Sequence, residues 1–344
     1  MGSTYYLDPA AAGSNNGTSW THAWTNPQSA FDTAVAGDLV YCRGTYTFAD
    51  ATTIDVDKNS GDHTSGYIKF IGCNALGNVD GTRFIMDVNS KVCDGLTWAS
   101  KSMLWFENIE IKNAGTVKAG ILSVTPAGTG NVFINCSINN NASYGIQGQY
   151  LQFNVFIRSV IHSNGGDGIY RSTFSAASGC CFRDNAGSGW REPTGCVLNN
   201  CIAHGNTDDG LETVLPTAKI FNVVVDGNTN DGILLGTSTD LYAPVIIGCR
   251  ITNHIGSGDI GLNCNNEPCI TGWCYFEDND GANIQNATLH NAIPLEGGST
   301  SSNLEDLANT DEGYVDKAGH NFATRYVDSG DPDLRRTAIT IPWS

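Results

Sequence analysis

The sequence is short of positive charge. It carries 18 Lys and Arg against 35 Asp and Glu, a formal net charge of −17 over 344 residues. That deficit excludes nucleic acid as the expected partner, because a phosphate backbone is held by clustered cations. It also argues against docking on an anionic membrane surface. No apolar run reaches the ~18 residues that a membrane helix requires, so membrane insertion is not expected. Charged residues make up only 15% of the chain, too few for a long charged helical bundle. Several site signatures are also missing. The seven His show no zinc spacing, and there is no Cys-x-x-Cys, no Gly-x-Ser-x-Gly elbow and no phosphate loop. The opening Met1-Gly2-Ser3-Thr4-Tyr5-Tyr6 has no basic segment followed by an apolar one, so no signal peptide is visible.

What the chain does have is a repeat. From about residue 102 to 286 it cycles through small-x-apolar-x-x-Asn-x-x-x-Gly-apolar, in steps of 21 to 26 residues. One column holds Cys136, Cys180, Cys201, Cys249 and Cys274. Another, five residues on, holds Asn141, Asn164, Asn185, Asn206, Asn228 and Asn279, with His254 as the exception. The Leu pattern of a leucine-rich repeat is absent. The runs between turns are short and rich in Val, Ile, Phe and Cys, with Gly and Asn at the breaks, which reads as strands. Stacked Asn side chains suit a coil in which each turn lies ~4.8 Å above the last. Inward Cys suits a narrow core as a small hydrophobe. Inward thiols are therefore expected; local disulfides of Cys264 with Cys269, or of Cys180 or Cys181 with Cys196, are the alternative. The fold class that satisfies all of this is all-β, a right-handed parallel β-helix solenoid.

These repeats resemble those of the pectate-lyase-like superfamily of single-stranded right-handed β-helices. The stretches Tyr6-Leu7-Asp8-Pro9, Gly17-Thr18-Ser19-Trp20 and Ala30-Phe31-Asp32-Thr33-Ala34-Val35-Ala36-Gly37-Asp38 resemble the opening of many such proteins. The resemblance implies an N-terminal capping helix, expected over about 28–36, with the solenoid filling 1–286. Residues 287–344 lose the repeat and are expected to form a C-terminal cap or tail packed on the solenoid. The fold hosts many functions, so chemistry must be argued from a site.

The informative columns follow the repeat Gly. With Ile146, Ile169, Trp190, Leu211, Ile233 and Ile284 inward, the next position points outward and reads Gln147, Tyr170, Arg191, Glu212, Leu234 and Gln285. The position after that adds Arg171 and Glu192. Tyr170, Arg191, Glu212 and Asp209 are the catalytic candidates; Arg171, Glu192 and His204 are candidates for binding substrate. The same residues also read as cross-strand ion pairs, Arg191 with Glu212 and Arg171 with Glu192. The acidic column before the Gly holds Asp167, Asp209 and Asp231, with Asp208 adjacent. Like charges one rung apart raise one pKa or recruit a cation, which makes Asp208 and Asp231 candidate Ca²⁺ ligands, although no cofactor is required. Asp-Gly is also a common turn.

Asn206-Thr207-Asp208-Asp209-Gly210-Leu211-Glu212 is similar to the Asn-Thr-Asp-Gly-Ile-Asp motif of polygalacturonases, and that resemblance matches Asp209 and Glu212 to the two acids of the family. The chain departs from the motif by an extra Asp, by Glu as the second acid, and by lacking the downstream Gly-His-Gly and Arg-x-Lys. The expected function is an extracellular-type carbohydrate-active protein that binds an extended polysaccharide along the β-helix face and cleaves it, as a polysaccharide lyase or a glycoside hydrolase. The alternative is a non-catalytic β-helical adhesin, structural or phage-tail receptor-binding protein. An extracellular or virion-associated place fits both readings, and the residues choose neither monomer nor homotrimer.

Overall fold

A computed structural model of the chain describes residues 2–296, apart from 125–128, 149–151, 214–217, 237–243, 255–259, 265–267, 278, 280–283, 286–287 and 290–292. Of the expected C-terminal segment 287–344, everything from 297 onward lies outside the described residues. The chain forms two compact units, Met1–Gly187 and Ser188–Ser344.

The first unit is a parallel β-coil. A representative turn of it runs through strands Val155–Ile157, Val160–His162 and Ile169–Thr173. Each strand stacks in register on its equivalent one coil earlier: Phe156 on Phe133, Ile161 on Ile138, Ile169 on Ile146. The short strands are separated by single residues in the left-handed region, among them Asn135, Asn140, Arg158 and Ser163. Asn tolerates that conformation better than most residues, which explains its frequency at these corners.

Alternation then sends every second side chain inward. Phe70, Phe106, Phe133 and Phe156 stack as a ladder of rings, with successive centroids 5.5, 5.3 and 5.0 Å apart. Truncating one such ring to Ala costs about 3–5 kcal/mol. A polar ladder runs beside this core. The Nδ2 of Asn141 donates to Oδ1 of Asn164 (2.9 Å), and Asn164 donates likewise to Asn185 (2.9 Å). The backbone N–H groups of Asn141 and Asn164 donate to the same oxygens. Asn113 stands outside the ladder: its φ is 61° and its amide donates to Asp87. A second polar column, in which Asn131 N–H donates to Asn154 and Asn154 N–H to Ser175, was not evident from the repeat.

The N-terminal helix spans Pro27–Thr33, shorter than the 28–36 expected. Asn26 caps it by accepting from Gln28 N–H, and Pro27 takes the first helical position. It stops early because Ala34 turns extended and Asp38 captures the Val35 N–H at 2.9 Å. Phe31 packs its ring 4.5 Å from that of Phe70.

The second unit repeats the same coil. Trp190, Leu211, Ile233, Leu262 and Ile284 stand in parallel register. The first four are buried, as expected of an inward column. Parallel pairing continues to the strand Ile293–Glu296, which lies against Pro268–Glu277. Asn206 donates to Asn228 Oδ1 at 2.8 Å, so the ladder recurs here. His254 takes a ladder position and is fully buried. Burial holds its pKa down, to about 4, so the ring is neutral.

All twelve Cys are free thiols, and the five of the Cys column are buried. Cys264 and Cys269 bring their sulfurs within 3.0 Å of each other as thiols. Among the described residues, no helix is long and apolar enough to cross a membrane.

Candidate active site

The site is built on the strands that follow the repeat Gly in the second unit. The preceding turn, Asn206 to Gly210, must pass very close to the next coil. A Cβ on Gly210 would lie 2.6 Å from the Gly232 carbonyl oxygen and 2.8 Å from Asn228 Nδ2, so only Gly fits. The Asp before it has a structural task. Asp209 accepts the Asp231 N–H at 2.9 Å. Asp231 in turn accepts the Ile260 N–H (2.9 Å) and Asn263 Nδ2 (2.8 Å). Asp94 does the same for Ala119 N–H in the first unit. The acidic column therefore joins coil to coil.

The strand Leu211–Thr213 then sends Glu212 outward. Arg191, in register beside it, places Nε 2.8 Å from Glu212 Oε2. Arg191 is the more open partner, with 40% of its side chain exposed against 15% for Glu212. On the other side Glu212 meets Leu234, in register, and Leu234 is followed by Asn263. Carboxylate oxygens of Asp208, Asp209 and Glu212 all lie within 4.8 Å of one another. Asp208 also accepts Asn230 Nδ2 at 3.2 Å.

Electrostatics follow from this crowding. Asp209 is buried, and its pKa is pushed up to about 8, first by desolvation and then by Asp208, Asp231 and Glu212. The pKa of Asp231 is raised as well, again chiefly by burial, but hydrogen bonds from Asn263 and Ile260 counter the shift. The cluster thus holds a carboxylic acid that keeps its proton near neutral pH, beneath a half-buried carboxylate paired with a guanidinium. Such a set can donate a proton, and its oxygens suit a hard cation.

Of the residues predicted from sequence, the structure brings together Arg191, Glu212, Asp209 and Asp208. Asp231 is linked to them through its backbone N–H, and both of its carboxylate oxygens accept hydrogen bonds from the following coil. His204 lies on the other sheet, on strand Ile202–His204, with Nδ1 3.2 Å from Asp226 Oδ2. Glu192 sits next to Arg191 with φ 56°, a left-handed kink that keeps it half-buried, whereas Thr213 and Leu235 at the same repeat position turn inward. Tyr170 and Arg171 belong to the first unit. There the Tyr170 ring stacks on Tyr144, 4.9 Å between centroids, and Arg171 lies 4.8 Å over the Tyr170 ring. Asn263 and Asn230 were missed. The pair Gly261-Leu262 signals Asn263, but His254 and a longer turn hide the rung.

A family model described as "Right handed beta helix region" matches residues 60–218. A pectate lyase structure superposes with a TM-score of 0.63 at 18% identity, covering 90% of this chain and 85% of that one. The fold is a right-handed parallel β-helix. A second β-helix of similar form is the A-module of a mannuronan C-5 epimerase from Azotobacter vinelandii, with TM-score 0.57, 14% identity, and 80% of this chain and 84% of that one covered. An open-reading-frame protein of a Geobacillus virus also superposes, with TM-score 0.50 and 16% identity over 79% of this chain and 57% of that one. No curated protein matches the sequence. At these identities the shared feature is the β-helix itself, and the chemistry rests on the side chains described above.

Proposed function

We propose that this β-helix binds an extended polysaccharide along its outer sheet face and cleaves it at the cluster of Arg191, Glu212, Asp208 and Asp209. The observation that carries the reading is the protonated Asp209 set within 4.8 Å of Glu212, whose charge is held by Arg191 at 2.8 Å. In this reading Glu212 is the group that meets the glycosidic bond. Asp209 lies beneath it and supplies the proton that Glu212 passes on. Arg191 orients Glu212 and faces the sugar, where a uronate carboxylate would complement it. As a hydrolase, Glu212 would work with the half-buried Asp208, whose carboxylate lies within 4.8 Å of it, a spacing that suits a retaining geometry of ~5 Å better than the ~6.5–9.5 Å of an inverting one. As a lyase, Arg191 would neutralise the uronate while a base removes the C5 proton. A Ca²⁺ ion, if used, would be held by Asp208, Asp209 and Glu212, and chelation would then abolish activity. Similarity of form to a pectate lyase and to an epimerase module supports a carbohydrate ligand.

The test is a panel of polysaccharides followed by absorbance of unsaturated uronates and by release of reducing ends. A lyase gives both signals and a hydrolase only the second. Glu212→Gln keeps the shape and removes the charge, so it should lower cleavage at least ~100-fold with little change in melting temperature. Normal cleavage by that variant would remove the cluster from the chemistry. One feature favours a second reading, a non-catalytic β-helix that binds a glycan or a host surface. Glu212 is neutralised by Arg191 and shielded in register by Leu234, as a purely cross-strand pair would be. Absence of both signals over the whole panel, with binding retained, would select it.

A further inference from the structure

The first unit exposes two aromatic rings in a backbone conformation that bulky residues avoid. Phe153 has φ 52° and Phe174 has φ 50°, both in the left-handed region. They occupy one repeat position: Thr129, Gln152 and Thr173 are bridged in parallel register, so Gly130, Phe153 and Phe174 follow one another coil by coil. Gly130, with φ 73°, shows what this corner accepts without strain. At two consecutive coils the chain instead carries the largest kind of side chain that the corner disfavours. The rings do not serve the core, since Phe153 is 52% and Phe174 53% exposed. They stack on each other at 5.3 Å and 17°, an apolar block whose end, toward the Gly130 corner that has no side chain, is the flat face of a single ring. Exposed strain of this kind is kept where function requires it.

A second stack joins two coils of this unit: Tyr144 and Tyr170 lie 4.9 Å apart at 14°, with the Arg171 guanidinium over Tyr170. The rim of the Phe platform is polar, with Gln152 exposed and Thr173 half-buried. We infer that Phe153 and Phe174 form a glycan subsite, a platform on which the C–H face of a pyranose ring in an extended polysaccharide stacks. The shape fits that ligand: flat, apolar, one sugar ring in size and edged by hydrogen-bonding groups. Two rings are far too little for a protein partner, whose stable interface would bury more than ~1,000 Å². The inference rests on the polysaccharide reading above and adds a subsite that the acid cluster does not supply.

The experiment is affinity electrophoresis of the full chain through gels containing alginate, polygalacturonate, xylan or hydroxyethylcellulose. At least one polymer should retard the wild type. The double variant Phe153→Gly/Phe174→Gly should bind that polymer roughly tenfold more weakly, a loss of about 1.4 kcal/mol. Its melting temperature should be unchanged or higher, because Gly relieves the left-handed strain. Phe153→Tyr/Phe174→Tyr keeps both rings and should keep the retardation. If the Gly variant is retarded like the wild type, the subsite is wrong while the polysaccharide reading stands. A melting temperature several degrees lower in the Gly variant would make the rings structural and also overturn the subsite. If no polymer retards the wild type, the polysaccharide reading fails and takes the subsite with it.

Discussion

A carboxylic acid that keeps its proton at pH 7 leaves a mark on stability as well as on chemistry. The folded pKa of Asp209 is raised from 3.8 to about 8. Between those values the folded chain holds a proton that the unfolded chain has released, so stability falls as pH rises. The contribution is whole below about pH 4 and fades up to about pH 8. Asp209→Asn removes the titration and keeps an oxygen for the Asp231 N–H. The variant should match the wild type near pH 4 and exceed it at pH 8 by roughly 1–4 kcal/mol, read from urea melts across that range. Parallel curves for the two proteins would show that the carboxyl titrates normally. If Asp209 also feeds protons to Glu212, the same substitution will stabilise the protein and slow cleavage together. That combination is expected where a strained group is kept for function.

At the scale of the element, the ladder decides which substitutions matter. Asn206 is buried and donates both its backbone N–H and its Nδ2 to Asn228. Asn206→Ala should cost ~1–3 kcal/mol by leaving buried groups unpaired. Asn113→Ala removes one half-buried bond to Asp87 and should cost less. Equal shifts in melting temperature would contradict the register. This part of the fold was legible because an inward column must repeat the same residue type at each coil; Ile146, Ile169, Leu211 and Asn164 declare it. The site was legible only in part. Arg191 beside Glu212 follows from register alone. That Asp209 would be protonated depends first on its burial and then on three neighbouring carboxylates, and so on how tightly the coil packs. His204 lies on a different sheet from Glu212, because a turn of the coil separates residues that are neighbours in sequence. The exposed Phe153 and Phe174 went unseen, since nothing in a spacing pattern tells an outward corner from an inward one.

Taken over the whole chain, burial governs the thiols. Eleven of the twelve Cys are buried, and Cys181 alone is partly accessible. Desolvation pushes the Cys136 thiol up to about 12, which suppresses the reactive thiolate. A thiol reagent at pH 8 should therefore label at most Cys181 in the native protein and all twelve after denaturation. Fast labelling of Cys136 or Cys249 in the native state would break the inward column. The ladder described above also has a direction. In its side-chain-to-side-chain bonds the earlier coil gives hydrogen and the later coil supplies the oxygen. A ribosome adding ~5–20 residues per second releases one coil every few seconds. Each finished coil then presents unmet donors to the segment that emerges next, so synthesis and assembly run the same way along the chain.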